Sequence, residues 1–202
     1  MVLRFFSVGV LYDDSERADG APGTAPTGQL WTNRGSHLGV IVDGRLVKNE
    51  AGASNAFYLE TLMPERVKRV SGRFSFVGTS GDNSSVVVLC SRDGVRAAAG
   101  PYNNMVHVTC SPLGVNVEYY TAGVATTVDT FLHSTPLAID GTVYEWAIRF
   151  EGNKVIVEMP DGTEQTSNDA NLDKAGRFLQ IEDFVFTGQD AEPRWERVIA
   201  TT

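Results

Sequence analysis

Alternation of apolar and polar residues is the feature of this sequence that most restricts its fold. In the segment 69–77, Val70, Phe74 and Phe76 fall on one face of an extended chain, and the segment 143–150 repeats the pattern with four apolar side chains. Because successive side chains of a strand point to opposite faces, such alternation predicts half-buried β-strands. Similar short segments recur along the chain, which favours an all-β protein.

Turn signals separate these segments at short intervals. The Gly-Asn pair within 151–154 predicts a two-residue hairpin, and the one helix prediction is about two turns within 168–176. Further turns are predicted at Asp43-Gly44, Asp93-Gly94, Asp140-Gly141 and Pro160-Asp161-Gly162. Many short strands with regular turns predict a sandwich or a barrel, here one domain over residues 1–202.

The charge balance restricts the classes of partner. The formal net charge is -8, and the 17 basic residues are scattered along the chain. Phosphate binding needs a basic stripe, and no apolar run has the length of a membrane span, so we expect neither a nucleic-acid partner nor membrane insertion. The opening 1–12 runs into charged residues without a small-residue cleavage site, and we interpret it as the first strand rather than a signal peptide.

The two cysteines, Cys90 and Cys110, each fall on the apolar face of a predicted strand. We expect buried free thiols that act as small hydrophobic residues. A disulfide between two neighbouring strands is the alternative. The chain has no CxxC motif and no cysteine–histidine cluster, so thiolate metal ligation is not expected.

Catalysis by paired carboxylates has no clear sequence signal. A retaining glycosidase needs two carboxyl groups about 5–5.5 Å apart, which on a strand means acids spaced by twos or fours. Glu182 and Asp183 are adjacent and would point to opposite faces, and Glu60 is separated from Glu65 by a proline. We interpret these acids as solvated strand residues and expect no enzyme. A polysaccharide-degrading enzyme with an unrecognised carboxylate pair is the alternative.

Glycan binding requires an exposed aromatic side chain beside amide and carboxylate groups. Tyr102, Asn103 and Asn104 match that description, and Trp195 is a second aromatic candidate. The alternative is that these aromatic residues anchor loops at the ends of the sandwich.

Calcium is a further hypothesis, because carboxylates cluster in 12–20 and again in 181–184, and hard oxygen ligands suit Ca²⁺. The competing interpretation is that Arg17 pairs with one of these acids and holds the loop.

The stretch 13–32, "DDSERADGAPGTAPTGQLWT", has neither a helical nor a strand period, and it predicts a long surface connection. Together with "GVIVDGRLVKN" it resembles the opening of concanavalin A-like (laminin-G-like) jelly-roll modules found in virion proteins of phages that infect actinobacteria. "VKRVSGRFSF", "DGTVYEWAIRFEGNKVIVEMPDGT" and "WERVIA" are similar to later parts of these modules. Ser15 stands where the modules usually have phenylalanine. The positions that match the opening pattern are Asp13, Arg17, Asp19, Gly20, Gly28 and Trp31.

The resemblance implies a two-sheet antiparallel jelly-roll sandwich of the concanavalin A-like lectin/glucanase type. It also implies a non-enzymatic virion component, such as a minor tail, baseplate or capsid decoration protein, assembled in the host cytoplasm. Its implied partners are other virion proteins, a glycan of the host envelope and further copies of the chain. A stand-alone carbohydrate-binding protein is the alternative.

The same resemblance assigns a structural clasp to the long loop. Trp31 would fill the sandwich edge, while Arg17 and Asp19, with Asp13, would tie the loop to the closing strands.

Overall fold

A computed structural model of the protein describes residues 9–34, 37–49, 57–79, 84–93, 104–185 and 190–202. Within these ranges the chain forms fifteen β-strands and one short 3₁₀ helix. The strands are β1 (Val10–Asp13), β2 (Thr32–Asn33), β3 (Gly39–Val42), β4 (Arg45–Lys48), β5 (Phe57–Leu62), β6 (Arg69–Val77), β7 (Ser85–Ser91), β8 (Met105–Cys110), β9 (Gly114–Thr121), β10 (Val124–Leu132), β11 (Asp140–Glu151), β12 (Lys154–Glu158), β13 (Glu164–Asn168), β14 (Phe178–Phe184) and β15 (Glu192–Thr201).

The strands form two antiparallel sheets that pack face to face. The eight-stranded sheet has the order β13-β12-β11-β6-β15-β4-β3, with β1 paired to β15 beside β4. The seven-stranded sheet has the order β10-β9-β8-β7-β14-β5-β2. The prediction of a two-sheet antiparallel sandwich is confirmed, and each sheet has an inner face toward the core and an outer face.

Aromatic side chains of the eight-stranded sheet form the centre of the core. The ring of Phe74 lies 5.8 Å from that of Trp146 and 6.4 Å from that of Trp195. Gly72 stands on the same inner face, where a Cβ atom would lie 2.5 Å from the Trp195 ring. Edge-to-face aromatic pairs contribute about 0.5–1.5 kcal/mol beyond the burial of their area. Glycine at position 72 therefore makes room for the tryptophan that closes this cluster.

Most predicted turns are present. β11 and β12 are joined through Gly152 and Asn153, and Asp43-Gly44, both with positive φ, join β3 to β4. Asp140-Gly141 is different, because these residues lie inside β11 at a register shift against β6, so the predicted turn there is wrong. The pair forms part of a β-bulge in β11 and does not reverse the chain. The predicted turn at Asp93-Gly94 includes Gly94, and the predicted first strand over 1–12 includes residues 1–8. These residues lie outside the described ranges.

The predicted helical segment is a 3₁₀ helix over Ala170–Lys174. Asp169 accepts a hydrogen bond from the backbone N–H of Asn171 at 2.7 Å, and Leu172 is buried against the core. The cap satisfies one of the free N–H groups at the start of the helix.

Cys90 and Cys110 are free and buried, as predicted. β7 and β8 are neighbours, but the register places Cys90 opposite Val106 and Cys110 opposite Val86. An offset of four residues separates the thiols by about 13 Å along the strands, well beyond the reach of a disulfide. Burial raises the pKa of both thiols, so they stay protonated and apolar in character.

Candidate functional site

A line of side chains crosses the outer face of the seven-stranded sheet, one from each of six neighbouring strands. Each member is the cross-strand partner of the next, and all but one carry hydrogen-bonding groups. We name it the polar row; its members are Glu60 (β5), Gln180 (β14), Leu89 (β7), His107 (β8), Glu118 (β9) and Thr127 (β10).

The half of the polar row on β8, β9 and β10 is partly open to solvent. His107 Nδ1 lies 3.0 Å from Glu118 Oε2, and Thr127 Oγ1 donates to Glu118 Oε1 at 3.0 Å. The hydrogen bond to His107 is the largest cause that lowers the pKa of Glu118. Tyr120, one row further along β9, packs against His107 with the two rings edge to face and their centroids 5.5 Å apart. On the other side of the row, Thr130 donates to Asn116 at 2.8 Å.

Together with Tyr120 and Asn116 on the same face, this open half combines an aromatic ring, a carboxylate, an imidazole, an amide and hydroxyl groups within three adjacent strands. Its signal in the sequence is the alternation in "GVNVEYY", which puts Asn116, Glu118 and Tyr120 on the polar face of β9. Sequence reasoning did not select these residues, because alternation does not say which polar face carries a site.

The other half of the polar row is buried, and so is Glu182, which lies two residues after Gln180 on the same face of β14. Glu60 and Glu182 are each 5% exposed, although both lie on the outer face. Gln180 Nε2 donates to Glu182 Oε1 at 3.0 Å, and Arg34 Nη2 lies 3.3 Å from Glu60 Oε1. The interpretation of these glutamates as solvated is therefore wrong. The register pairs Gln180 with Glu60 and Glu182 with Tyr58, which makes the two glutamates diagonal neighbours across β5 and β14.

Asp183, next to Glu182, points to the inner face, as the alternation predicts. Burial raises the pKa of this carboxyl to about 7, against the opposing effects of the nearby Lys48 charge and the Phe57 N–H, which donates to Oδ1 at 3.3 Å. Neighbouring carboxyl groups of one strand thus have different surroundings. Asp183 lies between the two sheets and is not part of the outer face.

The long loop is held by a group of charged and aromatic contacts around Asp13. Arg17 forms a bidentate pair with Asp13, with N–O distances of 2.7 and 2.9 Å, and also donates to the Pro22 carbonyl at 2.9 Å. Trp31 Nε1 donates to Asp13 Oδ2 at 2.6 Å. Since Asp13 pairs with Val198 of β15, this group connects the loop to the closing strand.

Asp19 makes a different connection from the one expected. Its Oδ1 accepts from the Asp43 N–H at 3.0 Å, and the adjacent Gly20 forms a β-bridge with Ile41. Asp19 therefore ties the loop to the β3–β4 turn instead of the closing strands. The reason is that the loop passes along β3 after it leaves Arg17.

The aromatic residues selected from the sequence have separate outcomes. Tyr102 and Asn103 lie outside the described residues. Asn104 has a left-handed backbone and donates from Nδ2 to Asp93 at 2.6 Å; it directly precedes Met105, the cross-strand partner of Tyr120.

Trp195 is 1% exposed, and its Nε1 donates to the Glu182 carbonyl at 3.0 Å. It cannot serve as an exposed platform for a sugar. A register shift between Trp195 and Arg197 is the reason, since it brings Trp195 onto the same inner face as Val198, three positions away.

The carboxylates considered for calcium have other contacts. Both oxygens of Asp13 accept hydrogen bonds from Arg17 and Trp31. Within the part of the chain that the structure describes, no group of three or more histidine, cysteine, aspartate or glutamate side chains is placed to hold a metal ion. Cys110 Sγ lies 3.8 Å from His133 Nε2, but burial raises the pKa of the thiol and lowers that of the imidazole, so this pair is not an activated nucleophile.

The sequence matches no protein-family model and no curated protein. Similar solved structures include a carbohydrate-binding module, CBM66, from Bacillus subtilis, with a TM-score of 0.59 and 13% identity over 85% of this chain and 95% of that one. Peanut lectin gives a TM-score of 0.63 and 10% identity over 95% and 96% of the two chains. The β-glucanase of Bacillus licheniformis gives 0.56 and 8% over 98% and 100%.

These similarities confirm the predicted fold class, a two-sheet antiparallel jelly-roll sandwich of the concanavalin A-like lectin/glucanase type. At such identities they establish the fold alone. No helix in the described ranges is both long and apolar enough to cross a membrane.

Proposed function

We propose that this chain is a carbohydrate-binding domain whose glycan site is the open half of the polar row. The observation that carries the proposal is the hydrogen-bonded chain His107–Glu118–Thr127 beside the ring of Tyr120. Sugar hydroxyl groups both donate and accept hydrogen bonds, and sugar C–H faces pack on aromatic rings, so this combination matches a glycan.

The dimensions of the open half also match a sugar. Side chains on β8, β9 and β10 span three strands, or about 10 Å at the usual spacing between strands. Asn116 and Thr130 extend the same surface on the side away from Tyr120. Because Glu118 is held by His107 and Thr127, its carboxylate is oriented before a ligand arrives, which reduces the entropic cost of binding.

The similar structures support the same class of ligand. One is described as a carbohydrate-binding module and one as a lectin, and a β-glucanase shares the fold. Fold similarity alone does not assign a ligand, so the proposal depends on the contacts around Glu118.

A matched pair of variants tests the site. The side chains of Glu118 and Glu196 are each 17% exposed, but Glu196 lies on the eight-stranded sheet and pairs with Arg45. On a glycan array, Glu118→Gln and Tyr120→Ala are expected to lose at least about tenfold in affinity, or about 1.4 kcal/mol, while Glu196→Gln retains binding. Equal binding by the Glu118 and Glu196 variants would contradict the site.

Two further arms of the same assay test the remaining sequence-based hypotheses. Tyr102→Ala tests the aromatic residue that lies outside the described ranges. Repeating the assay with EDTA tests the proposed structural calcium, because loss of binding on chelation is the expected result if a calcium ion supports the site.

A separate proposal concerns the larger assembly in which the domain works. We propose that it works as a non-enzymatic component of a phage particle, in contact with other virion proteins and with copies of itself. This rests on the sequence pattern around Asp13, Arg17 and Trp31, and none of the three similar structures above is a virion protein. Mass spectrometry of purified particles is expected to detect the chain; its presence in the lysate but not in particles would contradict the proposal.

Hydrolysis of a polysaccharide is the second candidate function, and Glu60 and Glu182 are the observation that favours it. They are diagonal neighbours on two adjacent strands, and retaining glycosidases use two carboxyl groups about 5–5.5 Å apart. Binding without hydrolysis is favoured here, because each glutamate is only 5% exposed. Release of reducing ends from β-glucans that disappears in both Glu60→Gln and Glu182→Gln would establish the enzyme instead.

A further inference from the structure

A groove of about 410 Å³ lies on the outer face of the eight-stranded sheet, opposite the proposed glycan site. It crosses five consecutive strands in the order β13, β12, β11, β6 and β15. We name it the arginine groove. The charged residues of its lining are Arg69, Glu145, Glu158, Glu164 and Arg197.

The floor of the arginine groove consists of small residues. Ser71 and Ala147 are direct cross-strand partners at its centre, and Glu158 is the partner of Ala147 on the next strand. Larger side chains stand on both sides along the same strands, so the small pair forms a trough across β6 and β11, with Glu158 at one end and Ile199, the partner of Ser71, at the other. Five strands span about 19 Å, which is longer than a single sugar ring.

One wall of the groove is formed by an ion-paired network on β6, β11, β12 and β13. Arg69 Nη2 donates to Glu158 at 3.1 Å, Arg149 Nη1 donates to Glu158 at 3.3 Å, and Arg149 Nη2 donates to Glu164 at 2.7 Å. Each arginine of this wall holds a glutamate that lines the groove.

The opposite wall has the same chemistry. Arg197 Nη2 donates to Glu145 at 3.1 Å, and Arg73 Nε lies 3.4 Å from the same oxygen. Arg73 and Arg197 are also cross-strand partners. The groove is therefore bounded on both sides by arginine–glutamate pairs.

These pairs leave hydrogen-bonding capacity unused. A guanidinium has five N–H donors, and the contacts above employ only one or two of them. The Nε atoms of Arg73, Arg149 and Arg197 are buried and donate no hydrogen bond, so the donors available to a ligand are the Nη groups. The four arginine side chains are between 32% and 41% exposed, so further donors face solvent.

The charge arrangement selects among ligands. Every glutamate of the lining is paired with an arginine, so an anion would meet carboxylates and a cation would meet guanidiniums. A hydroxyl group accepts from a guanidinium and donates to a carboxylate, which matches both members of each pair. The groove therefore favours a neutral, hydroxyl-rich chain over a charged one.

From this geometry we propose that the arginine groove is a second glycan-binding site, which holds a neutral oligosaccharide across the strands over Ser71 and Ala147. It is separate from the polar row, because the two lie on outer faces of different sheets. A domain with both sites would bind two glycan segments, and two linked contacts increase the avidity for a polysaccharide surface.

Amide-resolved NMR titration of the whole chain tests the proposal with laminarihexaose, cellohexaose and mannohexaose as neutral probes. The expected result is a shift of the Ser71 and Ala147 signals with at least one probe. Ser71→Trp, which fills the floor, is expected to abolish the shift of the Ala147 signal and to leave any shift at Tyr120 unchanged. No shift at Ser71 or Ala147 with any of the three hexasaccharides overturns the proposal.

A second variant protects the test against misfolding of the first. Arg69→Gln combined with Arg197→Gln removes one donor residue from each wall and leaves the floor intact. It is expected to weaken binding in the groove at least tenfold. If the oligosaccharide affinity measured from the Ser71 signal is unchanged in this double variant, the proposal that the wall arginines bind the ligand is overturned.

The titration tests the arginine groove and the proposed glycan site on the polar row separately. Shifts confined to Ser71 and Ala147 support the arginine groove and contradict the proposed glycan site on the polar row. Shifts confined to Tyr120 and Glu118 give the reverse result. A hexasaccharide of galacturonic acid serves as the anionic control, and equal or tighter binding of this control in the groove overturns the preference for neutral ligands.

Discussion

The outer faces of the two sheets are both polar, but they hold their charges in different ways. On the seven-stranded sheet, Leu89 is 1% exposed and Glu60 and Glu182 are 5% exposed, so charged and apolar groups are buried together. On the eight-stranded sheet, arginine–glutamate pairs remain in contact with water. The same period-two pattern therefore produces two surfaces with different energetics.

Because of this difference we expect burial, more than residue type, to set the strength of the polar contacts on the two faces. Between exposed ions water and salt screen the attraction, and such pairs contribute about 0–1 kcal/mol each. A buried group loses its hydration, so its hydrogen bonds are strongly required and its partners are specific. We therefore expect substitutions on the seven-stranded face to have larger effects than equivalent substitutions on the eight-stranded face.

The largest effect is expected from Leu89→Ala. Truncation of a buried leucine costs about 2–4 kcal/mol, whereas Ile199→Ala on the half-buried outer face of β15 is expected to cost less than about 1 kcal/mol. Urea unfolding of both variants measures the comparison. Equal losses in the free energy of unfolding would mean that the two outer faces do not differ in burial.

Asp183→Asn tests how the buried carboxyl between the two sheets affects the pH dependence of stability. Burial raises the pKa of Asp183 to about 7 in the folded chain, so its contribution to stability is fully present below the unfolded pKa and is lost as the pH rises toward 7. From pH 5 to pH 7 the wild type is expected to lose about 2 kcal/mol relative to the variant.

Unfolding measured at several pH values checks this prediction. Asp161→Asn is the control, because hydrogen bonds from Thr163 lower the pKa of the exposed Asp161 carboxyl. Parallel pH profiles for the wild type and Asp183→Asn would contradict the raised pKa.

A smaller effect is expected from His107→Gln in the polar row. The hydrogen bond from His107 lowers the pKa of Glu118, so the pair stabilises the fold above the unfolded pKa of Glu118 and loses this contribution as the pH falls through the folded value. The variant is expected to cost about 1 kcal/mol at pH 6 and to raise the pKa of Glu118. NMR titration of the Glu118 carboxyl measures the shift, and an unchanged titration would remove His107 from the site.

The smallest effect is expected from Arg149→Gln on the eight-stranded face. Arg149 contacts Glu151, Glu158 and Glu164, yet its side chain is 32% exposed. The expected cost is about 0.5–1 kcal/mol at low salt, and it should fall toward zero near 1 M salt. A cost that stays constant across this range would show that the network is protected from solvent.

Much of the fold follows from local patterns. The inward faces of β6 and β11, the hairpin at Gly152 and Asn153 and the short helical segment all depend on residues within a few positions of one another. The pairing of Asp13 with Arg17 is also local, since four residues separate them. Such features are predictable because the interacting groups are near neighbours in the chain.

The candidate site was only partly predictable. Glu60 and Glu182 are more than a hundred residues apart, and only the order of β5 and β14 in the sheet places them together. Trp195 changed from an expected surface platform to a core residue because a register shift in β15 brought its side chain inward. Neither strand order nor a bulge has a signature in composition or alternation.

The sequence by itself determined that this chain forms strands, where many of its turns lie and which side chains of β6 and β11 enter the core, because these depend on backbone geometry and local periodicity. The tertiary structure decided which polar faces meet, which of them are buried and which residues become neighbours across strands. These depend on sheet order and register, which the whole chain sets at once. The polar row and the arginine groove both belong to this second kind of information.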